Sequence, residues 1–177
     1  MDNINTSKKP HAMWVVMGVS GCGKSSIGAA LAAQLSVTFV EGDAFHPPAN
    51  VEKMSAGIPL DDSDRVQWLA NLQAEIRAAC ASSGGVILSC SALKRRYRDV
   101  LREAEPSIRF AHLSGARDLI FARMQSRQGH YMPLSLLDSQ LSVLESLQQD
   151  EAGVVLDINE PPARLVASIL NAVQSND

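Results

Sequence analysis

Gly18-Val19-Ser20-Gly21-Cys22-Gly23-Lys24-Ser25 fits the pattern G-x-x-x-x-G-K-[ST]. The pattern constrains the fold tightly, because it works only between the end of a strand and the start of a helix. There, glycines let the backbone wrap an anion with its N–H groups pointing inward, and the helix adds the positive end of its dipole. The lysine reaches the outer phosphates and the serine hydroxyl joins a Mg²⁺ shell. Both flanks agree with this placement. Met13-Trp14-Val15-Val16-Met17 is a short apolar run with β-branched residues, while Ile27, Ala30, Leu31 and Leu35 recur at helical spacing. Gly18, Ser20, Gly21, Cys22, Gly23, Lys24, Ser25 and Ser26 are therefore the candidate nucleotide-binding residues, and Ser25 is the candidate metal ligand.

A chain of 177 residues with 46% hydrophobic content fits one domain with a single buried core, expected over residues 12–177. Residues 1–11 are polar and lack the apolar stretch of a secretory signal, so a disordered tail is expected there. Sixteen basic residues against nineteen acidic give a net charge of −3, which argues against a protein that grips nucleic acid. Cys22, Cys80 and Cys90 show no C-x-x-C spacing, so neither a zinc site nor a disulfide framework is indicated and a reducing cytoplasm is expected. No apolar run approaches the roughly 20 residues that cross a bilayer, so no membrane association is expected.

Beyond the first helix, Val37–Val40 reads as a strand that delivers Asp43 to its C-terminal end. A short helix is expected from Asn50 to Ser55, and Asp61 to Asp64 open a longer one that carries Trp68, Leu69, Leu72, Ile76 and Ala79 on one face until Gly84-Gly85. Val86-Ile87-Leu88 is wholly apolar, as a strand covered on both faces is. A basic helix from Ala92 to about Glu103, a strand at Ile108–Leu113 and a helix at Asp118–Met124 follow. Leu134, Leu137, Leu141, Leu144 and Leu147 make one helical face, most simply a core-facing one or else part of a dimer interface, and a strand at Val154–Ile158 precedes the last helix from about Ala163. Strands alternating with helices imply an α/β fold of three layers around a five-stranded parallel sheet. Ligands in such sheets bind beyond the strands' carboxyl ends.

The phosphate loop alone does not say where a phosphoryl group goes. The guanine-reading N-K-x-D motif is absent from the sequence. A small-molecule kinase needs a carboxylate near the acceptor hydroxyl, a pocket for the acceptor and a basic lid over the phosphates. Asp43 is the candidate carboxylate. Arg123 and Arg127, four apart and followed by Gly129-His130, are candidate catalytic cations of a helical lid over about residues 123–135, or else a solvated basic face. Lys94, Arg95, Arg96 and Arg98 form the densest positive cluster. On a helix Lys94 and Arg98 share a face at i, i+4 and would clasp an anionic substrate. A nucleic-acid patch there lacks interleaved aromatics beyond Tyr97. His46 and His130 are weaker candidates for polar contacts to substrate.

Gly42-Asp43-Ala44-Phe45-His46-Pro47, Asn50 through Asp62, Asp64-Arg65, Trp68-Leu69, Cys90-Ser91-Ala92-Leu93-Lys94, Tyr97-Arg98-Asp99, Arg127 through Met132, Ser139-Gln140 and Leu144-Glu145 together resemble the gluconate kinases. The likeness runs from about Trp14 to the last helix. It implies a P-loop kinase that transfers phosphate from ATP, with Mg²⁺, to D-gluconate, as a cytoplasmic homodimer in sugar-acid catabolism. It also implies that the loop around Asn159–Pro162 flanks the adenine, which makes Pro162 a nucleotide-binding candidate. A linear polyhydroxy acid fits the residues at hand. Lys94 and Arg98 suit its carboxylate, and Asp43, His46, Asn50, Asp64 and Arg65 suit its hydroxyls. Many P-loop ATPases place an acid at the end of a central strand to support Mg²⁺, but here that strand runs into Ser89-Cys90-Ser91, so Ser25 is the only metal ligand the sequence names. A kinase of the same architecture acting on shikimate or a nucleoside monophosphate, and a nucleotide-binding module without catalysis, are the competing readings.

Overall fold

The computed structural model describes residues 12–126 and 133–174; the N-terminal tail, and with it Arg127 and His130 of the expected lid, lie outside the described residues. Five strands form one parallel sheet: β1 (Met13–Met17), β2 (Thr38–Glu41), β3 (Val86–Ser89), β4 (Arg109–Ser114) and β5 (Gly153–Asp157), in the spatial order β2-β3-β1-β4-β5. Among the described residues seven helices connect and cover them: α1 (Lys24–Leu35), α2 (Pro48–Ser55), α3 (Asp62–Ser83), α4 (Arg95–Ala104), α5 (Arg117–Ser126), α6 (Leu136–Val143) and α7 (Pro162–Gln174).

The strand alternation sorts side chains between two cores. Trp14, Val16, Ile87, Ala111 and Leu113 meet Ile27 and Leu31 of α1, Ile120 of α5, Leu137 of α6 and Ile169 of α7. Met13, Val15, Leu88 and Phe110 meet Trp68, Leu72 and Ile76 of α3 and Leu101 of α4. This is the three-layer arrangement expected from the sequence. The crossover order leaves β1 in the middle of the sheet, so its C-terminal loop opens between the ends of β3 and β4.

Two helix boundaries depart from the sequence reading. The basic helix begins at Arg95 rather than Ala92, because Ala92 stands at φ 43 and Lys94 is extended at φ −105. A left-handed residue cannot carry a right-handed helix through it. The leucine helix ends at Val143 rather than Leu147, since Leu144 turns extended and Glu145 N–H donates to Leu93 O at 2.7 Å. Its face packs inward, with Leu137 fully buried and Leu134, Leu141 and Leu144 against the α1-side core. The long helix α3 starts where expected. Asp61 accepts from Asp64 N–H at 2.9 Å and Asp64 accepts from Asp61 N–H at 2.9 Å, a reciprocal cap.

Candidate active site

β1 delivers the chain to Gly18, whose φ of 139 and close surroundings admit no side chain: a Cβ would stand 2.7 Å from Leu113 O and 2.8 Å from Cys22 Sγ. At Gly21, φ is 83 and a Cβ would meet Met124 Cγ at 2.5 Å, so α5 packs directly on the loop. Lys24 Nζ donates to Val19 O at 2.9 Å and thereby closes the loop on itself. Ser25 is half-buried in the first turn of α1 and Ser26 is exposed. Burial pushes the Cys22 thiol above its ordinary range despite the nearby Lys24 and Arg123 charges, which suits a packing group rather than a nucleophile. The Ser20 N–H donates to Gln140 Oε1 of α6 at 2.7 Å.

The acceptor side is built on the turn Gly42–Phe45 that follows β2. Trp68 Nε1 donates to Gly42 O at 2.9 Å and Asn71 Nδ2 to Phe45 O at 3.1 Å, so α3 fixes the turn that carries Asp43. His46 stacks on Trp68 with ring centroids 4.3 Å apart. Burial is the main cause that lowers its pKa to about 4; Asp43 pulls the other way and Arg65 adds to the lowering. The imidazole is therefore neutral near pH 7, a hydrogen-bonding group rather than a charge. Asn50 stands behind it, donating to Asp64 O at 2.8 Å and lying 3.4 Å from His46 Nδ1.

Ser20, Lys24, Asp43, His46, Ser91 and Gln140 line a narrow cleft. It opens into a cavity of about 260 Å³ walled by Asp61, Asp62, Lys94, Leu136, Ser139 and Val143. Met54, Leu60, Arg65 and Gln140 line both spaces. Two cations, Arg65 and Lys94, and two acids, Asp61 and Asp62, make up the cavity's charged wall. Asp62 accepts from Lys94 Nζ at 3.0 Å and from Tyr97 Oη, and pairs with Arg96. Arg65, Lys94 and Arg96 surround the Tyr97 ring at 5.4, 5.8 and 5.5 Å. Arg65 is braced from below, with Nη1 donating to Leu60 O at 2.5 Å and Asp61 O at 3.1 Å.

Two expected substrate residues are placed elsewhere. Arg98 is wholly buried, and its Nε and Nη2 donate to the Glu151 carboxylate at 2.7 Å each. Its remaining hydrogens go to the carbonyls of Ala92, Leu93, Glu145 and Ser146. With Lys94 outside the helix, the i, i+4 face that would join the two cations does not exist, and Arg98 staples the segment after α6 to α4. Asp64 is likewise committed: Lys53 Nζ donates to both its oxygens at 2.7 and 2.9 Å, which holds its carboxyl below the usual range, and neither cleft nor cavity includes it. On the nucleotide side, Arg123 Nη2 donates to Ile158 O at 2.8 Å, so α5 is tied to the loop that leads into exposed Pro162 at the start of α7.

The sequence reading gave no site role to Asp62, Arg96 and Tyr97, which need the fold to bring α3 and α4 together, to Ser91 and Gln140, which line the cleft, or to Glu41. The last had a local signal. Glu41 has the parity of Phe39, whose ring lies against Gly28 of α1, so it faces α1 at the sheet's carboxyl edge, beside Ser89 in register. Its Oε1 is buried, with no hydrogen-bond partner among the described residues.

The model of the family described as shikimate kinase matches residues 20–173. The gluconokinase of Gluconobacter oxydans is 44% identical over 169 residues, covering 96% of this chain and 94% of its own. The thermosensitive gluconokinase of Escherichia coli K12 is 44% identical over 161 residues, covering 90% and 86%. The crystal structure of a gluconokinase from Sinorhizobium meliloti superposes with a TM-score of 0.84 at 44% identity, over 95% of this chain and 94% of that one. These relatives span the phosphate loop, the Asp43 turn and the Lys94 wall alike. The chain belongs to the shikimate kinase family of P-loop kinases and, within it, to the gluconokinases.

Proposed function

We propose that this chain catalyses ATP-dependent phosphorylation of D-gluconate to 6-phospho-D-gluconate. The observation that carries the chemistry is the continuity of the two spaces: the phosphate loop and Asp43 share a cleft that opens, past Arg65 and Gln140, into a cavity that Lys94 lines at its far side.

Loop N–H groups and the α1 N-terminus hold the phosphates of ATP, with Lys24 turning from Val19 O to the outer ones. Asp43 orients the acceptor's 6-hydroxyl and takes its proton. The hydroxyl oxygen bonds to the terminal phosphorus as the bond from that phosphorus to the bridging oxygen breaks, and ADP leaves. Lys94, with Arg96 beside it, holds the carboxylate at the far end of the acid. Neutral His46, together with Arg65, serves the hydroxyls between. Asn50 acts behind them by setting the His46 ring. Arg123 and Pro162 border the nucleotide, and Arg127 and His130 belong to the same reading as cover for the phosphates and the acceptor.

The residues present fit Mg²⁺. The Ser25 hydroxyl would hold it directly, and the unpartnered Glu41 Oε1 faces the same side of the sheet edge. Among the described residues no group of three or more His, Cys, Asp or Glu is gathered, which suits an ion that keeps several of its waters. When bound it neutralises charge on the phosphates. No helix of the described residues is long and apolar enough to cross a membrane. A cytoplasmic homodimer is part of the proposal.

An ADP-release assay with Mg·ATP tests this reading. Turnover with D-gluconate and background rates with shikimate, glucose or no acceptor are expected. Turnover with shikimate instead of gluconate would move the chain to the other branch of its family, and no turnover with any acceptor would leave a nucleotide-binding module.

A further inference from the structure

We propose that Gln140 is a positioning residue of the phosphate loop, its side-chain oxygen taking on the Ser20 N–H the place that a terminal phosphate oxygen takes when a nucleoside triphosphate is bound. The contact is 2.7 Å long and joins residues 120 apart in the chain. Ser20 is only 7% exposed, so its N–H has little access to water as an alternative. An unsatisfied N–H there is costly. Ser20 also stands on the acceptor side of the loop, since it shares the cleft with Asp43 and Ser91. That is the side from which the outermost phosphoryl must depart.

The carboxamide arrives from a fixed element. Leu136 and Leu137 of α6 are buried, and Asp138 on its first turn accepts two hydrogen bonds from Arg117 at 2.6 and 2.9 Å. A carboxamide oxygen is a neutral acceptor, while a phosphate oxygen is a charged one that makes roughly twice as strong a bond to the same donor. The triphosphate therefore displaces Gln140, whereas a diphosphate, one phosphoryl shorter, leaves it in place. The displaced side chain already borders the acceptor cavity, so it moves toward the acceptor as the terminal phosphate seats. The consequence is a residue that tunes the choice between ATP and ADP.

Calorimetry of Mg·AMPPNP and Mg·ADP binding, without any acceptor, tests this independently of which acid the enzyme phosphorylates. In Gln140→Ala the competitor is gone, so AMPPNP is expected to bind about fivefold tighter, the worth of one neutral hydrogen bond, with ADP little changed. In Gln140→Glu an acceptor oxygen remains but now carries a charge, so AMPPNP is expected to weaken by about tenfold or more, and ADP by less. A structural role would move both nucleotides together and both variants in one direction. Equal shifts for the two nucleotides, or a ratio that moves the same way in both variants, overturn the proposal. Thermal unfolding of each variant confirms that the comparison is between folded proteins, and position 140 is only half-buried, which favours tolerance.

Discussion

Arg98→Met separates a structural cation from a substrate-binding one. The variant keeps an apolar stem of similar length but removes both bonds to Glu151 and four to backbone carbonyls. Removing one partner of a buried ion pair costs about 3–5 kcal/mol, because the other charge is left without compensation. Glu151 is not wholly abandoned, since Arg102 Nη2 lies 3.2 Å from its Oε1 and the Gln148 N–H donates to Oε2 at 3.0 Å. The lower end, about 3 kcal/mol, is therefore expected. At about 2–4 °C per kcal/mol for a chain of this size, the melting temperature should fall by about 6–12 °C. The acid limb gives a second signature. Burial raises the Glu151 pKa, but the hydrogen bonds from Arg98 and Gln148 N–H and the Arg98 charge outweigh it and hold the value at about 2, against an ordinary 4.5. A depressed carboxyl stabilises the fold above its unfolded value, and that stability is lost as pH falls through the folded one. The gap between parent and variant should thus be widest above pH 4.5 and close as pH drops toward about 2. Urea and thermal unfolding measure the first effect, and steady-state kinetics at a temperature where both are folded measure the rest. An unchanged melting temperature with a raised KM for gluconate would refute the staple and return Arg98 to the substrate.

Two substitutions test the site itself. Asp43→Asn should leave ATP binding largely intact while kcat falls by roughly 10²-fold or more, the scale of general-base and orienting effects; calorimetry and initial rates separate the two, and near-normal turnover removes Asp43 from the mechanism. Lys94→Ala should raise the KM for gluconate by about 10–100-fold, the worth of a charge-assisted hydrogen bond, with the KM for ATP little changed and the melting temperature held; equal effects on both substrates count against a carboxylate contact.

The phosphate loop, the five strands and the Asp43 turn were legible in the sequence because each rests on local rules: glycine where φ is positive, alternating or continuous apolar runs, and caps. The contrast between Lys94 and Arg98 was not. Both are cations in one basic run, and their separation depends on Ala92 adopting a left-handed conformation that moves the helix start past Lys94. Nothing local to that run announces Glu151, which lies more than 50 residues away and decides where Arg98 goes. Asp64 was a nearer miss. The sequence reading opens the helix with Asp61 to Asp64, yet also assigns Asp64 to a hydroxyl; its place at N3 in a reciprocal cap with Asp61 commits its carboxylate to the helix start. The Ser20–Gln140 contact has no sequence signal, since it joins a loop and a helix 120 residues apart that only the finished core brings together.

For the acid missing at the end of β3, the sheet register offers Glu41 as a candidate. Ser89 and Glu41 are partners across parallel strands β3 and β2, and the alternation that puts Phe39 against α1 puts Glu41 on the same face. Adjacent strands are about 4.8 Å apart. A carboxylate one strand over, carried on a side chain one methylene longer than aspartate, stands at the same carboxyl edge of the sheet. The buried, unpartnered Oε1 is costly to the folded protein on its own, and such a cost is characteristic of a group held for a ligand. Glu41→Gln removes the charge at constant shape and should therefore have opposite effects on folding and function. The melting temperature should hold or rise, while the Mg²⁺ concentration needed for tight AMPPNP binding rises by about 10-fold or more, as for residues that orient a metal's shell. A packing role alone would lower stability and leave the Mg²⁺ dependence where it was. That outcome would mean that Mg²⁺ binding does not use the β2 carboxylate, which serves the fold instead.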